Sequence, residues 1–119
     1  MPALRRSRGH VVLINAAPGG RAAPGWSAFA ATASKAALRE LADSLRRDEA
    51  GYGVRVTTIY PGGTANETQP EVRAAFGTEY DPLRLIRPET LAATVTWVLG
   101  APPDSYVSEL SVLAGPRGT

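Results

Sequence analysis

No cysteine occurs in the 119-residue chain, which excludes both a disulfide framework and a thiolate metal site. Histidine occurs once, at His10, and no spacing of His, Asp and Glu suggests a metal-ligand set. Long hydrophobic runs are also missing. The opening MPALRRSRGHVVLIN sets basic residues before a short apolar run, without a small-residue cleavage site and far below the ~20 residues a spanning helix needs. Charge of one sign is not in excess either. Thirteen basic and eleven acidic residues give a net charge of +2, scattered apart from a weak cluster at Arg5, Arg6 and Arg8, so no nucleic-acid footprint is present. These absences describe a soluble protein with neither a membrane nor a nucleic-acid partner, expected in the cytoplasm. Lysine is nearly absent as well: Lys35 stands alone beside twelve arginines.

Hydrophobic residues make up 44% of the chain and charged residues 20%, an ordinary balance for a folded domain. A chain of this length can bury roughly two thirds of its unfolded surface, so residues 1–119 are read as one domain. From Gly9 to Asn15, GHVVLIN is a continuous β-branched run closed by turn-forming residues, the pattern of a buried parallel strand. Two prolines and three glycines between Ala16 and Gly25 predict a loop. From Ser27 to Ala50 the text is rich in helix formers, with Ala37, Leu38, Leu41, Ala42 and Leu45 recurring at three- and four-residue intervals. Gly51 and Gly53 stop that helix, and GVRVTTIY then forms a second strand running into Pro61 and Gly62. After a short helical turn at PEVRAAFG, RPETLAATVTWVLG reads as a helix with Pro88 in its first turn and Glu89 near its positive end. YVSELSVLA is a final strand.

Strand, helix and strand in this order form a parallel unit, and ligands of such units bind beyond the carboxyl ends of the strands. Asn15 to Gly20 and Tyr60 to Asn66 therefore share one rim of the sheet. The fold class is α/β, a partial Rossmann-like, doubly wound parallel sheet of about three strands with two main helices.

The order of these pieces resembles the second half of the short-chain dehydrogenase/reductase family. The resemblance spans nearly the whole chain and is carried by SKAAL at Ser34 to Leu38, GVRVTTIYPGGT at Gly53 to Thr64, and RPE at Arg87 to Glu89. It implies a nicotinamide-dependent oxidoreductase, using NAD or NADP, that moves a hydride between cofactor and a small-molecule alcohol or carbonyl. In the family a serine after the first of these strands, a tyrosine four residues before a lysine, and that lysine carry the proton transfer. The lysine corresponds to Lys35, which the resemblance makes both catalytic and cofactor-binding. It assigns Pro61, Gly62 and Thr64 to the loop that contacts the nicotinamide carboxamide. Two plainer readings stay open: Lys35 as a solvated lysine on an alanine-rich helix, and PGGT as an ordinary turn after a strand.

The pattern is also broken. A phenol trades protons near neutrality when an ammonium nearby favours the phenolate, and a spacing of four puts both groups on one helical face. Here Ala31 stands four before Lys35, and Phe29 lies six before it, about 120° off its face. The serine position corresponds to Ala16. Ser27, Thr32 and Ser34 are nearby hydroxyls, but an unactivated alcohol is a far poorer acid than a phenol. The family's first half, with its glycine-rich pyrophosphate turn, has no counterpart here, so the chain reads as a truncated and catalytically impaired relative. The alternative is a non-catalytic relic or dimerisation module that pairs with itself or with a full-length dehydrogenase. Without its flanking strands GHVVLIN becomes an open apolar edge, which predicts self-association. His10 is expected at the surface, and Trp26 and Trp97 in the core or a subunit contact.

Overall fold

The computed structural model describes residues 1–16, 29–64 and 85–116. Its centre is a parallel sheet of three strands in the order β1-β2-β3, with β1 at His10–Ile14, β2 at Arg55–Pro61 and β3 at Glu109–Val112. The pairing runs in step from His10 opposite Arg55 to Ile14 opposite Ile59, while β3 starts later, with Glu109 opposite Thr58. Helix α1 spans Pro2–Ser7, α2 spans Phe29–Glu49 and α3 spans Pro88–Leu99. The expected strands and both main helices are present. The loop expected before α2 falls, beyond Ala16, outside the described residues, and so do Trp26, Ser27 and the PEVRAAFG turn.

Burial centres on β2. Val56, Thr57, Thr58, Ile59 and Tyr60 are all buried, and Val54, Ala42 of α2, Ile86 and Val98 of α3 complete the core. A strand paired on both sides has β-branched residues on both faces, which is how RVTTIY reads. β1 differs from the expectation of a fully buried strand. Among the described residues it is paired on one side only, its first four residues are half-buried, and Ile14 is 40% exposed. Helix α2 likewise covers only part of its apolar face: Ala42 is buried, Leu38 and Leu45 are half-buried, and Leu41 is 56% exposed. Trp97, expected in a core or contact, is 64% exposed.

The amino-terminal end of the sheet is closed by side chains from distant parts of the chain. Arg5 of α1 donates Nε and Nη2 to the two carboxylate oxygens of Glu49 at 2.8 and 2.9 Å, and its guanidinium lies 3.7 Å from the centre of the Tyr52 ring. Such two-pronged pairing is geometrically specific. Arg46 caps the start of β3, donating to the carbonyls of Val56 at 3.1 Å and Ser108 at 3.1 Å. His10 is half-buried rather than at the surface, because its ring Nε2 meets the Thr57 hydroxyl at 2.6 Å and its edge meets Tyr106. The Thr57 hydroxyl itself donates to the Val107 carbonyl at 2.6 Å, so it accepts from His10 Nε2.

One glycine is required by the backbone here: Gly53 takes φ 75° to end the turn after α2, a conformation that side chains disfavour. Helix α1 was not anticipated from the sequence. Its six residues are too few to show a period, and tertiary bonds such as Arg5 to Glu49 hold it in place.

Candidate functional site

The carboxyl rim is organised by the residue that follows β1. Asn15 is 4% exposed, and its backbone N–H donates to the Ile59 carbonyl at 2.8 Å, extending the β1-β2 ladder by one residue. Its side-chain carbonyl accepts the Ala16 N–H at 2.8 Å, and its side-chain amide donates to the Lys35 backbone carbonyl at 3.0 Å. The Lys35 ammonium reaches back and donates to the Ile14 carbonyl at 3.4 Å. The lone lysine therefore lies half-buried over the end of β1, next to the strand that leads into Pro61.

Pro61 closes β2, and the loop after it is tied down on two sides. The Gly62 N–H donates to the Val112 carbonyl at 2.7 Å, the Thr64 hydroxyl donates to the Gly62 carbonyl at 3.2 Å, and the Ile86 N–H donates to the Gly63 carbonyl at 2.8 Å. A parallel bridge pairs Thr64 with Ile86. The Gly62 N–H belongs to the sheet and the Thr64 proton goes to the Gly62 carbonyl, so toward a ligand the Thr64 hydroxyl oxygen is left as an acceptor. A Cβ on Gly62 would meet its nearest neighbours at 3.5 Å, an ordinary contact, so the protein's own packing does not require a glycine there.

Lys35, Pro61, Gly62 and Thr64 thus lie on one rim, at the ends of two strands that run about 4.8 Å apart. An ammonium, a hydroxyl and a glycine-lined loop suit the hydroxyls and amide of a nicotinamide riboside.

The positions expected to supply a proton are otherwise occupied. Ala16 is half-buried at the end of β1 and has only a methyl group. Ala31 lies on α2 four residues before Lys35. Of the described tyrosines, Tyr60 is the one at this end of the sheet. It is 3% exposed, and burial, followed by the Glu109 carboxylate, pushes its hydroxyl above the ordinary phenol value. A phenol shifted in that direction is a weaker acid. No group of three His, Asp or Glu side chains among the described residues could hold a metal ion.

Asn15 and the His10–Thr57 pair were not singled out from the sequence. The available signal for Asn15 was its place directly after an apolar strand and before a turn, where an asparagine caps backbone groups. Nothing in the sequence pointed to its reach across to Lys35.

Comparison with known proteins gives a consistent result. A family model described as short chain dehydrogenase matches residues 1–76. A glycine betaine reductase of Emericella nidulans is 32% identical over 114 residues, covering 92% of this chain and 9% of the fungal protein. An NADP-dependent 3-hydroxy acid dehydrogenase of Salmonella typhimurium is 29% identical over 115 residues, covering 92% of this chain and 46% of the relative. The crystal structure of serine dehydrogenase from Escherichia coli superimposes with a TM-score of 0.66 at 27% identity, over 93% of this chain and 43% of that one. The chain spans less than half the length of these relatives, and its three-stranded parallel sheet is a partial Rossmann-like fold.

Proposed function

The chain belongs to the short-chain dehydrogenase family, and on that premise we propose that its carboxyl rim holds the nicotinamide end of NAD or NADP, with Lys35, Pro61, Gly62 and Thr64 as the contacts. The observation that carries this reading is the Lys35 ammonium, directed at the Ile14 carbonyl over the strand end next to the Pro61–Thr64 loop. When bound, the cofactor supplies or accepts a hydride at its nicotinamide ring. The chain's own part is to hold and orient that ring: Lys35 binds ribose hydroxyls, and the loop contacts the carboxamide through its backbone and the Thr64 hydroxyl.

Proton transfer to an alcohol or carbonyl substrate is where this chain falls short. With Ala16 and Ala31 at the two donor positions, the rim binds without turning over, so the residues support an oxidoreductase architecture with impaired chemistry. The test is a titration with NADPH and with NADH, followed by tryptophan fluorescence, beside an assay of cofactor oxidation with small carbonyl compounds. Saturable binding with no oxidation is expected, together with measurable oxidation once Ala16→Ser and Ala31→Tyr are combined. Rapid oxidation by the unaltered chain would refute the impairment, and absence of binding to both cofactors would refute the site.

A second reading is favoured by one observation: Leu41 on α2 is 56% exposed and Ile14 on β1 is 40% exposed. A non-catalytic pairing module would bury them against a second copy or a full-length dehydrogenase. Light scattering after size-exclusion chromatography should then show a dimer or larger species at micromolar concentration, and a stable monomer would count against pairing with itself.

A further inference from the structure

Asn15 joins three elements at one point. Its backbone continues the β1-β2 ladder through the Ile59 carbonyl, its side-chain carbonyl caps the turn through the Ala16 N–H, and its side-chain amide crosses to α2 at the Lys35 carbonyl. The first two bonds are what an asparagine at a strand end ordinarily makes. The third is not. It links residues 20 apart in the chain, from a side chain 4% exposed.

Inside a helix the Lys35 carbonyl is the acceptor for the N–H four residues on, and its second lone pair remains for another donor. Asn15 supplies that donor. The Lys35 side chain then returns to the Ile14 carbonyl, so backbone and side chain of the same lysine are tied to the last residue of β1 and to the residue after it. A lysine stem has several freely turning bonds, and a head group placed only by its own rotamers would sweep a wide volume. Fixing the backbone of Lys35 relative to β1 limits where its ammonium can go.

We infer that Asn15 is the positioning residue for Lys35, setting the place and order of the ammonium on the carboxyl rim. The consequence for cofactor affinity rests on the function proposed above; the effect on Lys35 itself does not.

Because Lys35 is the only lysine, selective carbon-13 lysine labelling gives one side-chain signal to follow by NMR. In the unaltered chain the two Lys35 Hε protons should be inequivalent, and the Asn15 side-chain amide protons should exchange slowly and show cross-relaxation to Lys35 Hα. Asn15→Ser keeps an acceptor for the Ala16 N–H but is too short to reach the Lys35 carbonyl. It should merge the Hε signals into one averaged line while the Trp97 and His10 signals stay in place. NADPH affinity should weaken by about fivefold to tenfold, as for one lost hydrogen bond. That weakening should vanish when Asn15→Ser is made on a Lys35→Ala background.

Unchanged Hε signals in Asn15→Ser would overturn the inference, as would an equal loss of NADPH affinity on both backgrounds. If the unaltered chain binds no NADPH yet the Hε signals merge, the cofactor reading fails and the positioning role stands. Should Asn15→Ser not fold, the unaltered chain still decides the matter: amide-to-Lys35 cross-relaxation supports the inference, and its absence overturns it.

Discussion

The two ends of the same sheet are built differently. At the amino-terminal end, Arg5–Glu49, His10–Thr57–Val107 and Arg46 with the Val56 and Ser108 carbonyls bond side chains to elements far away in sequence. At the carboxyl end lie a buried asparagine, a tied-down glycine loop and an ammonium with further donors to give. Polar groups satisfied internally serve stability, and donors left at a rim can serve a ligand. Substitutions at the first end should therefore alter folding and leave binding alone, and those at the second should do the reverse.

The sharpest break of that division is Thr57→Val. Valine keeps the shape of this fully buried residue but removes the acceptor for His10 Nε2 and the donor to the Val107 carbonyl. We expect a loss of about 1–3 kcal/mol of stability in urea denaturation, with NADPH affinity of the folded protein unchanged. A changed affinity would show that the two ends are coupled.

Acid should act first at the same end. Burial, and then the Arg55 charge, hold the His10 ring below its ordinary value of 6.5. Its buried Nδ1 has no partner, so a proton there would have nothing to bond. The neutral ring's contribution is complete above pH 6.5 and is lost as pH falls through the lower folded value. A second window lies lower. The Arg5 hydrogen bond holds the Glu49 carboxyl below its ordinary 4.5, so that contribution is complete above 4.5 and fades beneath it. Urea midpoints should fall between pH 7.5 and 5 in the unaltered chain and stay flat there in His10→Gln; a slope that survives the substitution would assign the effect elsewhere.

The smallest expected change in stability belongs to the rim. Lys35→Ala removes a half-buried side chain with one long hydrogen bond, and should move the urea midpoint by less than about 0.5 kcal/mol. The same substitution should weaken NADPH binding by more than the Asn15→Ser change does, while leaving it measurable. A large stability loss would make Lys35 a structural lysine.

Much of this layout was legible in the sequence because it depends on local pattern. GHVVLIN, GVRVTTIY and the alanine-rich helix declare themselves by β-branched runs, helical period and glycine stops, and SKAAL with PGGT set the rim at Lys35 and Pro61 to Thr64. What stayed hidden depends on distance. Arg5 finds Glu49 across 44 residues, and Asn15 finds Lys35 across 20. No period or motif encodes either. Trp97 reads as a core or subunit-contact residue and Leu41 as part of a helical apolar face, yet both are exposed in the chain by itself, because the pattern of a helix face does not say what covers it.

The contrast between the ends is most directly tested by hydrogen–deuterium exchange with and without NADPH. The account predicts added protection at residues 14–16, around Lys35 and at residues 59–64, with no change at residues 5–10 or 49–55. Protection concentrated at the amino-terminal end, or none at either, would contradict it.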